Sequence, residues 1–185
     1  YKGDSNIDYD KTSEEIWRAL LEKEGVTPKI FADESNWWSR SGPPEKMPAG
    51  EPGGPDSEVY FRFDDVEHQP ECEDDPTKCE CGKFIEIGNS VFMQYQKQDD
   101  GSFKELPRAH VDFGGGLERL LAAVQDKSDI FQTSLFSSII SAIEEETGKD
   151  YESNRKSMRI VADHFGASVF LISAGVKPSK NDQGY

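Results

Sequence analysis

Asp112 and Arg119 stand on either side of three consecutive glycines, Gly114-Gly115-Gly116, in a stretch that reads as a short strand turning into a helix. Leu117, Leu120, Leu121 and Val124 recur at the spacing of an amphipathic helix that starts directly after the glycines. Side-chain-free residues at a helix N-terminus let a ligand approach bare backbone, where unpaired N–H groups and the helix dipole favour an anion. A carboxylate and a guanidinium would then flank the bound group. A tight turn used only for packing is the competing reading. Two nucleotide motifs are excluded: the dinucleotide fingerprint needs a further glycine where Arg119 stands, and the phosphate loop needs a Gly-Lys-Ser/Thr that is missing here.

A second constellation is His68, Cys72, Cys79 and Cys81, which contains all three cysteines of the chain. Three thiolates and an imidazole are the ligand set of a closed structural zinc site. Its H-x3-C-x6-C-x-C spacing is not that of a common finger, and free thiols in an exposed loop are the alternative.

The elements that must hold these groups follow from periodicity and punctuation. Residues 12–24 read as a helix, with Thr12 and Glu15 as a capping box, Ile16, Ala19 and Leu20 as its apolar stripe and Gly25 as its stop. Val26 to Ala32 suits a short strand, and Ser41 to Pro55, rich in proline and glycine, a loop. Glu58 to Phe63 alternates as a strand, and a charged excursion runs from Asp64 to Glu80. Phe84 to Gln96 is the longest strand signal. Alternation puts Ile85, Ile87, Asn89, Val91, Met93 and Tyr95 on one face and Glu86 on the other, so only a bulge at Gly88 would bring Glu86 to the face of Asn89. Asp99-Asp100-Gly101 makes a hairpin-like turn into the strand ending at Asp112. Leu135, Phe136, Ile139, Ile140 and Ile143 mark a helix stopped by Gly148. Another runs from about Ser157 with Met158, Val161, Ala162, Phe165 and Val169 inward.

Composition bounds the rest. The 185 residues suffice for one ordinary core. A net charge of −15 opposes non-specific binding to phosphate backbones or anionic membranes, so this piece is not expected to be a main nucleic-acid-binding surface. No apolar run approaches a membrane span and the first residues lack the features of a signal peptide, which makes a cytoplasmic protein the expectation.

Five segments taken together carry a resemblance. Asn36-Trp37-Trp38, Gly53-Gly54-Pro55-Asp56-Ser57-Glu58, Glu86-Ile87-Gly88-Asn89-Ser90-Val91-Phe92-Met93-Gln94, Val111-Asp112 with the glycine turn and Leu117-Glu118-Arg119, and Met158 to His164 occur in the order seen in the alanyl-tRNA synthetase family of class II synthetases. The glycine turn with Glu118-Arg119 resembles motif 3 of class II. Nothing resembles motif 1 or motif 2, and with no initiator methionine the chain reads as a fragment running from after motif 2 through motif 3.

The resemblance implies an α+β fold, a partial antiparallel sheet packed by helices with one edge uncovered. It implies a C-terminal part of the aminoacylation core over residues 1–150 and the start of a helical tRNA-recognition region over 151–185. It also implies alanine, ATP with Mg2+ and tRNA(Ala) as partners, through an enzyme that forms alanyl-adenylate. Arg119 aligns as the catalytic residue facing ATP, Glu86 as a magnesium-side ATP contact, and Trp38, Asn89, Val91, Asp112 and Gly114 as the alanine pocket. The family's cysteine-containing Gly-Pro-Cys-Gly-Pro segment is interrupted here by Glu51-Pro52. Gly166 and Gln183 stand where arginines are usual. On residue types alone, a non-catalytic alanine or nucleotide module and a zinc-braced interaction domain stay open as alternatives.

Overall fold

The computed structural model describes residues 1–185 other than 71, 73 and 74. It divides into two compact units, Tyr1–Ala123 and Val124–Tyr185. The first unit is built on one four-stranded antiparallel sheet in the order β1 (Trp37–Ser39), β2 (Pro52–Arg62), β3 (Phe84–Lys97) and β4 (Phe103–Gly114). With its helices this is an α+β architecture, as expected.

Helix α1 (Lys11–Lys23) is capped by Asp10, whose carboxylate accepts the Ser13 N–H at 3.0 Å. The cap is therefore two residues earlier than the Thr12–Glu15 box. The expected stripe is also turned: Ile16 and Leu20 are exposed, while Trp17 and Leu21 are half-buried. Val26 to Ala32 forms no strand. The loop expected from Ser41 to Pro55 ends earlier, because β2 already begins at Pro52. Gly54 explains why glycine can sit inside a strand here: a Cβ would lie 1.9 Å from the Phe92 carbonyl oxygen, so β2 and β3 can approach only without one. Behind the sheet, Trp37, Met47 and Ile7 form a buried cluster with Tyr1, Tyr95 and Phe103 against it.

β4 pairs with β3 on one side, and among the described residues its other edge has no strand partner. Val111 and Phe113 are 72 % and 67 % exposed there. Helix α2 (Leu117–Val124) follows the glycines, but it buries Ala122 and Ala123 and exposes Leu117, Leu120 and Val124.

In the second unit, α3 (Ser137–Thr147) ends at Gly148, whose positive φ of 65° suits glycine, and α4 (Tyr151–Ser173) starts on the Asp150 cap. Helix α4 thus begins six residues before the expected start. Ile140, Tyr151, Met158 and Ala162 form the buried cluster, with Phe131, Phe136, Ile139 and Ile143 packed against it. Val161, Phe165 and Val169, expected inward, are exposed.

A polar clamp closes this unit. The Tyr151 hydroxyl and the Arg159 guanidinium both donate to Asp129 Oδ2 at 2.7 Å, and Arg159 Nε donates to the Tyr151 hydroxyl at 2.8 Å. These donors outweigh burial and hold the Asp129 carboxyl below its ordinary range. A folded value below the unfolded one stabilises the unit above the unfolded range and loses that stabilisation as pH falls through the folded value. Asp129→Ala is expected to cost about 1.5–3 kcal/mol, as for hydrogen bonds to a charged group. Urea melts of both proteins at neutral pH and near pH 2 check this; the difference must shrink in acid.

Candidate functional site

The register of the three long strands assembles the site. Asp56, Val91 and Asp112 lie opposite one another on β2, β3 and β4, and the next row is Glu58, Asn89 and Gly114. Side chains alternate along each strand, so both rows share one face. Trp38 pairs with Gly54, two residues from Asp56, which puts it on the same face, 42 % exposed, while neighbouring Trp37 is buried behind the sheet. Four of the five expected pocket residues, Asn89, Val91, Asp112 and Gly114, thus sit in two adjacent rows, with Trp38 at their border.

Glu86 joins them through a bulge. Val59 pairs with Gly88 but Tyr60 with Glu86, so Ile87 is the extra residue of β3, and Glu86 comes to the face of Asn89. The bulge anticipated at Gly88 is therefore present one residue earlier. A second irregularity between Gly53 and Asp56 sends Tyr95 to the opposite face, where it stacks on Trp37. The six-residue face expected from strict alternation is corrected accordingly: Asn89, Val91 and Met93 keep it, while Ile85 and Tyr95 lie on the other side.

Arg119 reaches back from α2 to this face. Its Nη1 lies 3.3 Å from Glu86 Oε2 and 3.4 Å from the Glu86 carbonyl oxygen. Both side chains are partly exposed, so the pair contributes little to stability and leaves the guanidinium within reach of an incoming anion. Asp112 accepts the Phe113 N–H on Oδ1 at 2.9 Å and is otherwise open to solvent. At Gly114 a Cβ would meet nothing within 4 Å, so the space beside Asn89 is free.

Asp56 escaped assignment from sequence. It is 5 % exposed, and its Oδ2 accepts Asn89 Nδ2 at 3.2 Å. Burial pushes its carboxyl up, opposed by the amides of Asn89 and Asn36. Glu58 is likewise pushed up by burial, and it accepts the Tyr60 hydroxyl at 2.5 Å. A cavity of about 420 Å³ opens alongside, lined by Asn36, Asp56, Glu58 and Tyr60 and closed by Trp17, Leu21 and Phe31. The signal that could have found Asp56 was acidic residues at alternate positions, 56 and 58, in a strand.

The His/Cys group is a separate centre. His68 Nδ1 lies 3.7 Å from the sulfurs of both Cys79 and Cys81, and the ligand atoms of His68, Cys72, Cys79 and Cys81 lie within 4.8 Å of one another. Ligands on a tetrahedral zinc with Zn–S near ~2.3 Å stand roughly 3.5–3.8 Å apart, so this cluster has the right size. The Cys79–Cys81 contact lowers the Cys81 thiol, while burial and the neighbouring Cys81 and Cys72 raise Cys79. Glu71, Glu73 and Asp74, within the expected charged excursion, lie outside the described residues.

Among the described residues no helix is long and apolar enough to cross a membrane. The family model for class II tRNA synthetases (A) matches residues 4–185. Similar curated proteins include the alanine-tRNA ligases of Petrotoga mobilis, 39 % identical over 94 % of this chain and 21 % of the relative, and of Treponema denticola, 38 % identical over the whole chain and 30 % of the relative. That of Borreliella afzelii is 36 % identical, again over the whole chain and 30 % of the relative. The chain thus spans between a fifth and a third of the length of these relatives. With the family model matching residues 4–185, nearly its full length, the chain belongs to the class II tRNA synthetases (A).

Proposed function

We propose that these residues form the amino-acid side and one ATP contact of a catalytic core that activates alanine and transfers it to tRNA(Ala). The observation that supports this best is the strand register, which groups Asn89, Val91, Asp112 and Gly114 on one face within reach of Glu86 and Arg119. A carboxylate oxygen of alanine attacks the α-phosphorus of ATP, the bond to the bridging oxygen breaks, and pyrophosphate leaves. The tRNA 3′-terminal hydroxyl then attacks the alanyl carbonyl and displaces AMP.

No protein nucleophile is needed. Catalysis rests on alignment and on neutralising developing charge. Asp112 takes the α-ammonium in a charge-assisted hydrogen bond, which directs the carboxylate. Trp38 and Val91 bound the methyl group, Asn89 supplies a polar contact, and the open space at Gly114 admits the ligand. Arg119, released from Glu86, faces ATP. Glu86 is then free to face magnesium, whose charge offsets that of the phosphates. Residues 151–185 begin the tRNA-recognition region, and the protein acts in the cytoplasm, with its substrates.

Alanine-dependent pyrophosphate exchange by the full-length protein tests the reading. Alanine must be preferred to glycine and serine by about 10- to 200-fold in kcat/KM, the range available to a pocket that senses one small group. Equal exchange with a large apolar amino acid would overturn it.

His68, Cys72, Cys79 and Cys81 hold structural Zn2+ in this proposal, tying the excursion between β2 and β3 to itself. Protein purified without chelator should carry about one zinc per chain, given the tight binding of such sites. Elemental analysis showing less than about a tenth of an equivalent would remove the metal from the description.

A further inference from the structure

Three buried side-chain atoms among the described residues have no hydrogen-bond partner, Asp10 Oδ2, Asp56 Oδ1 and Asn89 Oδ1, and the last two belong to one hydrogen-bonded pair. Folded proteins pair the large majority of their buried polar atoms, so two neighbouring orphans mark a place where a donor is expected. Both orphans are acceptors. Asp56 is ionised when it carries charge and offers acceptors only, so the Asn89 amide must turn its NH2 toward it; the opposite orientation would set oxygen against oxygen. Turning the NH2 inward leaves the buried Asn89 carbonyl oxygen as an acceptor without a partner, in the row it shares with Gly114 on β4.

We propose that Asp56 is a positioning residue of the amino-acid site: its buried carboxylate holds the Asn89 amide so that Asn89 Oδ1 accepts from the α-ammonium of the substrate, and it places a second negative charge behind that contact. The inference rests on the amino-acid reading of this face given above. Asp56 and Asp112 flank Val91 in the same row, two strand spacings or roughly 10 Å apart at Cα, so the two carboxylates bracket the ammonium rather than compete for one proton. A primary ammonium brings three donors and a positive charge, which meets both the orphaned acceptors and the cost of burying a carboxylate. A purely structural partner for Asn89 would need no charge. Asn36 reinforces the arrangement, because its carbonyl accepts the Asp56 N–H at 3.1 Å and its amide turns toward the same carboxylate.

The test compares two probes on the full-length protein by titration calorimetry: alanyl-sulfamoyl adenosine and its propionyl counterpart, which lacks the ammonium. In Asp56→Asn the preference for the alanyl probe should fall about 10- to 100-fold, the scale of a hydrogen bond to a charged group, while propionyl affinity stays within about twofold. Equal losses for both probes, or no loss, overturn the proposal, since a structural role would not move the ratio. Wild-type protein that binds both probes equally overturns the amino-acid reading of the face, and this inference with it. Should Asp56→Asn fail to fold, the wild-type crystal structure with the alanyl probe decides: an ammonium within hydrogen-bond distance of Asn89 Oδ1 supports the proposal, and one held by Asp112 alone overturns it.

Discussion

Asp112→Asn is expected to lower kcat/KM for alanine in pyrophosphate exchange by roughly 30- to 4,000-fold, corresponding to ~2–5 kcal/mol for the loss of one charged partner in a desolvated site. The position explains the size. Asp112 lies near the end of β4, opposite Val91 and one row from the open space at Gly114. Among the described residues its carboxylate accepts only the N–H of its own neighbour, Phe113, so the fold gains little from the side chain. Stability should therefore change by no more than about 0.5 kcal/mol, as for exposed substitutions. The Asn side chain keeps the shape and one acceptor, and what it loses is the charge that meets the ammonium. Exchange assays with varied alanine and varied ATP separate the effects, because the defect must appear against alanine and leave the ATP dependence nearly unchanged. An Asn variant with wild-type dependence on alanine would take Asp112 out of the pocket.

The second large effect concerns the 185 residues in isolation, which should not activate alanine at a measurable rate. Arg119 and Asp112 address one side of the reacting pair. No segment here resembles motif 2, whose arginine meets the α-phosphate in the family. Removing one preorganised donor to developing charge typically costs ~100- to 1,000-fold, and the loss of alignment costs more. The sheet points the same way: β4 is an edge among the described residues, with Val111 and Phe113 exposed beside the very residues that would bind substrate. An edge strand presents a row of unpaired N–H and C=O groups that a further strand can pair. Exchange should be absent from the isolated chain while a thermal shift with alanyl-sulfamoyl adenosine persists. Robust exchange would show that the catalytic set is complete within these residues.

Glu86 and Asp56 show where reading from sequence alone stops. Strict alternation put Glu86 opposite Asn89. One inserted residue, Ile87, reverses this, and whether a strand takes a bulge depends on how its twist fits the strands beside it. Asp56 fell between the glycine- and proline-rich stretch ending at Pro55, which reads as loop, and the strand expected from Glu58. It became a buried partner of Asn89 because Gly54 lets β2 run close against β3, a fit decided by the Phe92 carbonyl on the other strand. Helix faces failed for a similar reason. The periodicity of α1, α2 and α4 is real, but which stripe is buried depends on what lies beside the helix, and Ile16, Leu117 and Phe165 face solvent among these residues.

By itself the sequence determined the short-range features: the strand, glycine turn and helix around Asp112 and Arg119, the long strand carrying Asn89 and Val91, the α3 stop at Gly148, and the His/Cys ligand set. These follow from backbone preference and spacing within a few residues, and the order of the motifs carried the family. Only the tertiary structure decided which residues share a face, how Arg119 meets Glu86, and that Asp56 lies buried against Asn89. Those relations are set by register between strands distant in the chain, where a shift of one residue moves a side chain to the other side of the sheet.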